Sequence, residues 1–499
     1  MDAPPTGGAS LVSQSGTMLG TFLSRGAARG LGFSKLVSVG NEADLGVGEL
    51  VELLADDPET HVILLFLETV RDAPRLATAA RRAHANGKPV AAYKLGRSSL
   101  GEALARSHTG ALAGSDAALD AFFRDCGIVR VDMLETLIEI APLIAGKKTF
   151  TAKRAPRVAV VTTTGGGAAS VVDRLGLAGI ETAGPAPDKP IHDLTMAATP
   201  RSYQETLERL LDSTDCDAVL AAVGSSAQFH PQLAVEPILK ARRTHKPLGA
   251  FLTPHAEESL RLLGGAGIAA FRTPEACADA FRAYFEWRAP RTPPRVPAPV
   301  FDRDAFRLIR SLGIGTPAQA VARAPDYAHG VPYPVAVKQL GVEHKTETGG
   351  VALNVADLQS LLAIVKRWGK SEVLIQSMER GLAEAILGYR DDPVVGPMVL
   401  VGAGGVLAEL YRDHAIALAP VSVEEAEAMI GRVKGLAPIR GYRNLPRGDV
   451  RALARAVSDF SRLALLDGRP VREAEINPII VRADGVVAVD ALLVTKEQT

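Results

Sequence analysis

Short runs of apolar residues alternate with stretches of helical period over the first 290 positions. The runs at 62–67, 89–93, 158–161 and 218–223 are almost entirely apolar. Continuous runs of this length are typical of strands that are buried on both faces of a parallel sheet. Between them, stretches such as 73–86 are rich in Ala and Arg and have helical period. This repetition of strand, helix and strand predicts open parallel sheets with helices on both faces.

Two segments of linker composition divide the chain. The stretch 146–156 is polar, and the stretch 289–299 contains five prolines in eleven residues. Prolines at this density do not occur inside packed helices or strands. After the second linker, pairs of strands with turn signals replace the alternating pattern, as at 334–338 and 397–401. The chain is therefore predicted to contain α/β domains at 1–150 and 151–290, a proline-rich linker at 291–300 and an α+β domain at 301–499.

Composition and charge exclude several classes of protein. Lys and Arg together number 56, as do Asp and Glu, so the formal net charge is zero, whereas proteins that bind polyanions usually have a basic excess. Aromatic residues make up only 5% of the chain, which argues against a stacking surface for single-stranded nucleic acid. No stretch approaches the roughly 18 apolar residues of a membrane span, and no secretory signal is seen. We therefore expect neither nucleic acid nor membrane as a partner.

The three cysteines, Cys126, Cys216 and Cys277, lie far apart in the sequence. Their odd number and wide spacing fit neither a disulfide framework nor a metal site, so we interpret them as small buried hydrophobic residues. Reduced cysteines of this kind predict a cytoplasmic protein.

Two turns of small polar residues, at 13–16 and 162–167, follow predicted strands and begin predicted helices. The backbone N–H groups at a helix start form an anion site together with the helix dipole, and glycine allows a phosphate to approach closely. One such turn is equally typical of an ordinary helix cap, but two in paired units form a weak internal repeat and favour phosphate. The candidate phosphate-binding residues are Ser13, Ser15, Gly16, Thr163, Thr164, Gly165 and Gly166.

His108 lies in a stretch of small residues, 106–115, which leaves space around the imidazole ring. Neutral imidazole is a competent nucleophile near pH 7, so His108 is a candidate to accept a phosphoryl group. Glu68 follows the run 62–67, and ligands bind at the carboxyl ends of parallel strands. Glu68 could hold the second ring nitrogen of His108 and fix its tautomer. Taken alone, each residue is as well explained by a solvated side chain.

The predicted α+β domain carries four further groups of polar or glycine residues. Lys338 lies on a predicted strand, from which it could reach nucleotide phosphates. The segment 401–406 is rich in glycine, which is a weak signal by itself. Asn477 and Asp490 offer oxygen ligands of the kind that suit a magnesium ion bridging phosphates. His344 lies in a polar loop that also contains glycine.

Together these segments resemble the ADP-forming acetyl-CoA synthetases, which are relatives of succinyl-CoA synthetase. The resemblance is carried, in order, by Ser-Gln-Ser-Gly at 13–16, Ser-His-Thr-Gly at 107–110, His-Lys-Thr-Glu-x-Gly-Gly-Val at 344–351, Gly-x-Gly-Gly at 402–405 and Glu-Ile-Asn-Pro at 475–478. It covers nearly the whole chain, and the combination is specific although each motif alone is not. The resemblance implies two flavodoxin-like α/β domains of the succinyl-CoA-synthetase type, followed by an α+β ATP-grasp domain.

The resemblance also implies an activity and a set of site residues. The implied reaction is an acid–thiol ligation that consumes ATP with Mg²⁺, passes through an acyl phosphate, and converts a carboxylic acid and coenzyme A into acyl-CoA, ADP and phosphate. By position, His108 resembles the histidine that becomes phosphorylated, Glu68 the carboxylate that orients it at the acyl site, and Glu475 the carboxylate that receives it at the nucleotide site. His344 matches a second histidine that carries phosphate in some members. The implied nucleotide contacts are Lys338, Gln376, Met378, Glu384, Gly404 and Gly405, and the implied magnesium ligands are Asn477 and Asp490.

Members with this fused layout usually begin with a CoA-binding Rossmann domain, whereas this sequence begins almost at the first motif. We therefore expect either that a misplaced gene start or a truncation removes that domain from the sequence, or that a separate subunit supplies it. In each case the phosphotransfer half is expected to survive. Two alternatives stay open: a nucleotide-binding regulatory protein without complete ligase activity, and another ATP-grasp carboxylate ligase that needs no phosphohistidine. The sequence does not identify the substrate acid, which could be acetate, another short acid, an aryl acid or a hydroxycinnamate such as ferulate. The paired α/β units suggest a homodimer by analogy.

Overall fold

The computed structural model describes residues 5–98, 116–152, 154–195, 198–242, 245–340, 349–405 and 413–496. The chain divides into two compact units, unit 1 at 1–291 and unit 2 at 292–499. No helix in the described ranges is both long enough and apolar enough to cross a membrane. The candidate residues His108 and His344 lie outside these ranges.

Unit 1 contains two parallel sheets. The first consists of β1 (Thr6–Ser13), β2 (Phe33–Ser38), β3 (Val62–Leu67), β4 (Val90–Lys94) and β5 (Ile128–Val131), in the order β2-β1-β3-β4-β5. The second consists of β6 (Arg157–Thr162), β7 (Glu181–Thr182), β8 (His192–Asp193), β9 (Ala218–Val223), β10 (Leu248–Leu252) and β11 (Ala269–Phe271), in the order β11-β10-β9-β6-β7 with β8 beside β6. If β6 is taken as the first strand of the second sheet and the short β8 is left aside, the second sheet has the same strand order as the first. This is the flavodoxin order. The predicted pair of flavodoxin-like sheets is confirmed.

The strands of unit 1 are joined by helices that begin at well-formed caps. The side chains of Ser15, Asp72, Thr199 and Thr273 each accept a hydrogen bond from a backbone N–H in the first turn of the helix that follows. Such caps satisfy donors that the first turn leaves unpaired. The helices are α1 (Gly16–Ala27), α2 (Val47–Asp56), α3 (Ala73–Ala85), α4 (Asp116–Cys126), α5 (Leu134–Glu139), α6 (Ala141–Ile144), α7 (Gly165–Leu177), α8 (Pro200–Asp212), α9 (Ser226–Phe229), α10 (Pro231–Ala241), α11 (Glu257–Gly265) and α12 (Pro274–Glu286).

The two sheets of unit 1 share one hydrophobic core. Buried side chains of the first sheet, such as Leu11 and Leu64, belong to the same cluster as Val160 and Leu220 of the second. Phe281 of α12 lies in this cluster too. Because burial of apolar area is the main favourable term in folding, this core holds the two sheets together as one unit. The domain boundary at residue 150 stays a prediction.

Buried charged side chains complete this packing. The carboxylate of Asp279, in α12, accepts hydrogen bonds from the backbone N–H groups of Asp132 and Met133 at 2.9 and 3.0 Å, just before α5. Nε of Arg29 lies 3.0 Å from the carboxylate of Glu139. Burial raises the pKa of Glu139, and the Arg29 cation opposes that rise. These contacts offset part of the cost of burying the two carboxylates.

Gly30 lies at a close approach between α11 and the loop that follows α1. Its φ is +69°, and a Cβ at this position would lie 2.5 Å from the carbonyl oxygen of Arg261 and 2.9 Å from the backbone nitrogen of Gly265. A Cβ at Gly264 would in turn collide with the carbonyl oxygen of Arg29. Only glycine fits this contact, because both the backbone conformation and the available space exclude a side chain.

Gly30→Ala is therefore expected to destabilise unit 1 by about 3 kcal/mol, since a left-handed conformation costs about 1–2 kcal/mol and overpacking about 1–3 kcal/mol. Gly87→Ala is the matched control, because Gly87 has a φ of +72° but no atom within 4 Å of its Cβ position. Urea unfolding followed by the fluorescence of Trp287, in a Trp368→Phe background, reports on unit 1 alone, since each unit contains one of the two tryptophans. Equal destabilisation by the two substitutions would contradict the prediction.

Unit 2 is built on two antiparallel sheets. The first consists of β12 (Gln319–Arg323), β13 (Val335–Gln339), β14 (Val351–Val355) and β15 (Glu372–Ser377), in the order β12-β15-β13-β14. The second consists of β16 (Ala383–Asp392), β17 (Gly396–Ala403), β18 (His414–Leu418), β19 (Val471–Val481), β20 (Val486–Ala488) and β21 (Leu492–Thr495), in the order β18-β17-β16-β19-β20 with β21 also paired to β19. The helices are α13 (Ala305–Ser311), α14 (Leu358–Trp368), α15 (Val423–Arg432) and α16 (Val450–Ser461). The α+β prediction for this part of the chain is confirmed.

The hairpin of β16 and β17 shows why these residues form antiparallel strands. Ala385, Leu387 and Tyr389 alternate with more exposed positions along β16, as a strand with one buried face requires. In the turn, Oδ1 of Asp392 accepts hydrogen bonds from two following backbone N–H groups at 2.9 and 3.0 Å, and Gly396 has a φ of +85°. Aspartate and glycine are the residues that such turns favour.

Candidate functional site

The two turns of small residues have the same internal hydrogen bonds. After β1, the hydroxyl of Ser13 donates to the carbonyl oxygen of Ser15 at 2.8 Å and accepts from the N–H of Ser15 at 3.1 Å. After β6, the hydroxyl of Thr162 makes the same two contacts with Thr164, at 3.0 and 2.9 Å. The weak internal repeat of the sequence therefore corresponds to a repeated local structure at the carboxyl end of each sheet.

Beyond each turn, the start of the helix is accessible. Ser13 is buried, so its hydroxyl shapes the turn, whereas Gly16, Gly165 and Gly166 are exposed. A Cβ at Gly165 or Gly166 would have no atom within 4 Å. The hydroxyl of Ser15 accepts a hydrogen bond from a backbone N–H in the first turn of α1. These are helix starts that an anion can reach, and the assignment of individual phosphate contacts stays a prediction.

Glu68 lies at the same edge of the first sheet as the turn at 13–16. It follows β3, which pairs in parallel with β1 so that Ser13 is opposite Phe66. Glu68 is buried, and its backbone N–H donates a hydrogen bond to the side chain of Gln14 at 2.5 Å. The structure therefore brings together the candidate carboxylate and the first candidate phosphate-binding turn.

In unit 2, the candidate phosphate contact and a candidate magnesium ligand form an ion pair. Nζ of Lys338 lies 3.4 Å from Oδ2 of Asp490 and donates a hydrogen bond to the carbonyl oxygen of Val489 at 2.6 Å. Lys338 is on β13 of the four-stranded sheet and is only 5% exposed, while Asp490 follows β20 of the six-stranded sheet. This contact joins the two sheets of unit 2 at one place.

The segments that carry Asn477 and Asp490 run side by side. Ile479 pairs with Ala488 and Glu475 pairs with Leu492, and between these pairs the backbone N–H of Val489 donates to the carbonyl oxygen of Pro478 at 3.1 Å. Glu475 precedes Asn477 by two positions on β19, and both side chains are partly exposed. The candidate magnesium ligands, Asn477 and Asp490, and the candidate carboxylate Glu475 therefore lie on two adjacent segments of the six-stranded sheet and its flanking loop.

These oxygen atoms fit a magnesium ion that completes its shell with phosphate and water. Mg²⁺ is usually held by one or two protein carboxylates together with substrate phosphates. Within the described ranges, no group of three or more His, Cys, Asp or Glu side chains could hold a metal by itself. A ligand set of one amide and one carboxylate would leave the other coordination positions to phosphate and water.

The glycine-rich turn after β17 packs against the start of β16. The N–H of Gly404 donates to the carbonyl oxygen of Glu384 at 2.9 Å, and a Cβ at Gly404 would lie 2.7 Å from the backbone of Ala385. Gly405 has a φ of +87°, and a Cβ there would lie 2.9 Å from Oε2 of Glu384. Three candidate nucleotide contacts, Glu384, Gly404 and Gly405, are therefore neighbours.

The two other candidate nucleotide contacts lie at the end of β15. Gln376 is buried, and its Nε2 donates to the side-chain oxygen of Gln319 at 3.0 Å. The sulfur of Met378 accepts a hydrogen bond from the backbone N–H of Asn354 at 3.5 Å. Both side chains are thus engaged within the four-stranded sheet, and their contact with an adenine stays a prediction.

Comparison with known proteins identifies both units. A model of the succinyl-CoA ligase like flavodoxin domain matches residues 6–144, and an ATP-grasp domain model matches residues 300–494. An ADP-forming acetate–CoA ligase of Archaeoglobus fulgidus is 29% identical over an alignment that covers 99% of this chain and 79% of the relative. A trans-feruloyl-CoA synthase from an unknown prokaryotic organism is 30% identical, with 99% of this chain and 78% of the relative covered. This chain belongs to the ADP-forming acyl-CoA synthetase family.

A solved structure is also similar to this acyl-CoA synthetase. It is the dinucleotide-forming acetyl-coenzyme A synthetase 1 of Ca. Korarchaeum cryptofilum in complex with phosphate and ADP, which is 25% identical, with a TM-score of 0.49. The alignment covers 57% of this chain and 65% of that chain.

The comparisons confirm the predicted family, fold class and enzyme class: the chain is an acid–thiol ligase with an ATP-grasp domain. The roles of individual residues stay predictions. Sequence reasoning missed two buried polar residues of the synthetase, Gln14 and Lys94. Lys94 ends β4 beside Leu67 and donates a hydrogen bond to the carbonyl oxygen of Leu95. The available signal was a long polar side chain at the end of an otherwise apolar or small-residue strand.

Proposed function

We propose that this synthetase transfers a phosphoryl group between a nucleotide site in unit 2 and an acyl site in unit 1, with His108 as the carrier. The observation that supports it is the repeated turn at Ser13 and Thr162, which presents two helix starts as anion sites in unit 1. An ATP-grasp ligase without a phosphohistidine has its phosphate chemistry at the nucleotide alone and needs no second phosphate site. The repeated turn therefore favours the phosphohistidine mechanism over that alternative.

At the nucleotide site, a ring nitrogen of His108 attacks the γ-phosphorus of ATP. The new P–N bond forms as the bond to the bridging oxygen breaks, and ADP leaves. Lys338, which lies beside Asp490, would neutralise charge on the phosphates, and Asn477 with Asp490 would hold Mg²⁺. When bound, the ion neutralises negative charge on the β- and γ-phosphate oxygens. Glu475 would accept a hydrogen bond from the second ring nitrogen.

At the acyl site, a carboxylate oxygen of the acid attacks the phosphorus of phosphohistidine. The P–N bond breaks, His108 becomes neutral again, and an acyl phosphate forms. Glu68 would hold the N–H of the second ring nitrogen, and the helix starts at Gly16 and Gly165 would stabilise the phosphoryl oxygens. The deprotonated thiol of coenzyme A then attacks the acyl carbon, and phosphate leaves. His344 would act as a second phosphate carrier on the nucleotide side.

The chain's own thiols would not compete with coenzyme A. Cys126, Cys216 and Cys277 are free and buried. Burial raises the pKa of Cys126 to about 12 and also raises the pKa values of the other two thiols. Because the thiolate is the reactive form, these cysteines are inert. Free, unpaired cysteines also support a cytoplasmic location.

The proposed function predicts a phosphoenzyme. Incubation with Mg²⁺ and ATP labelled on the γ-phosphate is expected to label the protein with an acid-labile, base-stable group, because phosphoramidates hydrolyse in acid. ATP labelled on the α-phosphate is the control and should leave the protein unlabelled. After addition of coenzyme A and an acid from a panel of acetate, benzoate and ferulate, the products should be ADP and phosphate. AMP as a product, or acyl phosphate formed without labelled protein, would contradict the proposal.

The panel of acids also addresses the substrate. The two relatives are named for acetate and for ferulate, which differ greatly in size. We infer that the substrate is either a short acid such as acetate or an aromatic acid such as ferulate. Comparing turnover with each member of the panel decides between these two classes. We also expect the chain to pair with a second copy of itself or with a separate CoA-binding subunit.

A further inference from the structure

Gln14 is buried at the carboxyl edge of the first sheet, where its side chain makes four hydrogen bonds. Its Oε1 accepts from the backbone N–H groups of Glu68 and Thr69, at 2.5 and 3.0 Å. Its Nε2 donates to the carbonyl oxygen of Thr69 at 3.0 Å and to the carboxylate of Glu42. The amide thus uses both of its ends to hold the segment that begins with Glu68.

Glu42 extends this network to a third loop. It follows β2, and its φ of +54° is uncommon for a residue with a side chain. One carboxylate oxygen receives Gln14, and the other accepts from the backbone N–H of Val47 at the start of α2 at 2.9 Å. Gln14 and Glu42 therefore join the loops that follow three adjacent strands, β2, β1 and β3. Backbone strain of this kind persists where the surroundings fix a conformation, often at functional sites.

The held segment contains a buried polar group that is not satisfied. The hydroxyl of Thr69 is buried, yet it has no hydrogen-bond partner among the residues that the structure describes. Buried polar groups without a partner are uncommon, and a role at a functional site or a bound water or ion is among their explanations. Directly after Gln14, Ser15 caps α1. One side chain therefore connects the helix start proposed for phosphate with the carboxylate proposed for His108.

We propose that Gln14 is a positioning residue that fixes Glu68 relative to the start of α1. The inference rests on the proposed function, because it takes Glu68 to hold the ring of His108 at the acyl site. Transfer of a phosphoryl group requires the attacking oxygen, the phosphorus and the leaving nitrogen to be aligned, and small misplacements slow such steps strongly. In this proposal Gln14 acts through the peptide of Glu68 and Thr69, to which it is hydrogen-bonded, rather than on the reacting atoms.

The test compares two ways of discharging the phosphoenzyme. Wild type and Gln14→Met are labelled from ATP, freed of nucleotide, and mixed either with ADP or with coenzyme A and the acid that supports turnover of wild type. Methionine has a similar length but makes none of the four hydrogen bonds. In Gln14→Met, discharge of the phosphoenzyme to the acid is expected to slow by about 10²-fold. In steady-state turnover, kcat should fall while KM for the acid changes little. Discharge to ADP takes place at the other site and is expected to keep its rate.

A charge-swapped pair separates positioning from loss of packing. Gln14→Glu places two carboxylates together and should slow discharge to the acid. Adding Glu42→Gln restores a donor opposite the new carboxylate, so the double variant should be faster than Gln14→Glu alone. Recovery is expected to be partial, because the carbonyl oxygen of Thr69 still lacks its donor. This non-additivity is the signature of a direct interaction between the two side chains.

Gln204→Met is the matched control, because Gln204 also donates to a glutamate, Glu208, at 3.1 Å but lies on α8. It should leave both discharge rates unchanged. If Gln14→Met slows the two discharges equally, or neither of them, the inference is wrong. A wild-type chain that forms no phosphoenzyme contradicts the proposed function itself, and the positioning role then falls with it.

Discussion

Replacement of His108 by alanine is expected to abolish acyl-CoA formation, by more than about 10⁴-fold, since loss of a covalent nucleophile removes the intermediate on which every turnover depends. The acid-labile label from γ-labelled ATP should disappear from the same variant. Affinity for ADP, measured by calorimetry, should stay as in wild type, because the proposed nucleotide contacts are all in unit 2. Loss of activity with retained nucleotide affinity would locate the defect in the carrier.

His255→Ala is the control for this substitution. His255 is highly exposed, and its ring lies 3.7 Å from the carboxylate of Glu257, so its removal should change neither label nor turnover. Label that survives in His108→Ala would identify His344 as a second carrier and should vanish in the double variant. Full acyl-CoA formation by His108→Ala would contradict the phosphohistidine mechanism. The ATP-grasp ligase without a covalent carrier would then be favoured.

Strands buried on both faces could be predicted from sequence because their composition alone reveals them. The run at 62–67 coincides with β3, and the run at 218–223 coincides with β9. Strands at or near the sheet edges gave no such signal. β2 is half-exposed along most of its length, and β7 and β8 have two residues each, so neither shows a continuous apolar run. Local pattern identifies a strand only when burial constrains every position.

Candidate site residues could be assigned one by one from the sequence, but the contacts between them could not. Lys338 and Asp490 were assigned separately, and their ion pair depends on how two sheets of unit 2 meet. The segments that carry Asn477 and Asp490 run side by side because of the register of β19 with β20 and β21, which a sequence does not display. Gln14 escaped attention for the same reason, since its partner Glu68 is close only because β1 and β3 are neighbours. Strand order and register carry the missing information.

Lys338→Met is expected to slow labelling of the protein by ATP by about 10³-fold, the effect of removing a preorganised charge from a phosphoryl-transfer site. The ammonium group is buried beside Asp490 and is held by the carbonyl oxygen of Val489, so it is fixed in place before the nucleotide binds. Without it, the carboxylate of Asp490 would repel the phosphates. KM for ATP should therefore rise as the labelling rate falls. Once formed, the phosphoenzyme of Lys338→Met is expected to discharge to the acid at the wild-type rate, because the proposed acyl site is in unit 1.

Lys496→Met is the matched control in the same unit. Lys496 also pairs with an aspartate, Asp391, at 2.6 Å, but its side chain is 45% exposed, and surface pairs of this kind contribute only about 0–1 kcal/mol. Unfolding of unit 2, followed by Trp368 fluorescence in a Trp287→Phe background, separates a structural loss from a catalytic one. If Lys338→Met lowers the stability of unit 2 but leaves labelling by ATP unchanged, Lys338 serves to join the two sheets. If labelling falls while unit 2 stays folded under assay conditions, the other contacts between the two sheets suffice to hold them together. The loss of labelling then comes from the nucleotide site, to which the buried cation belongs.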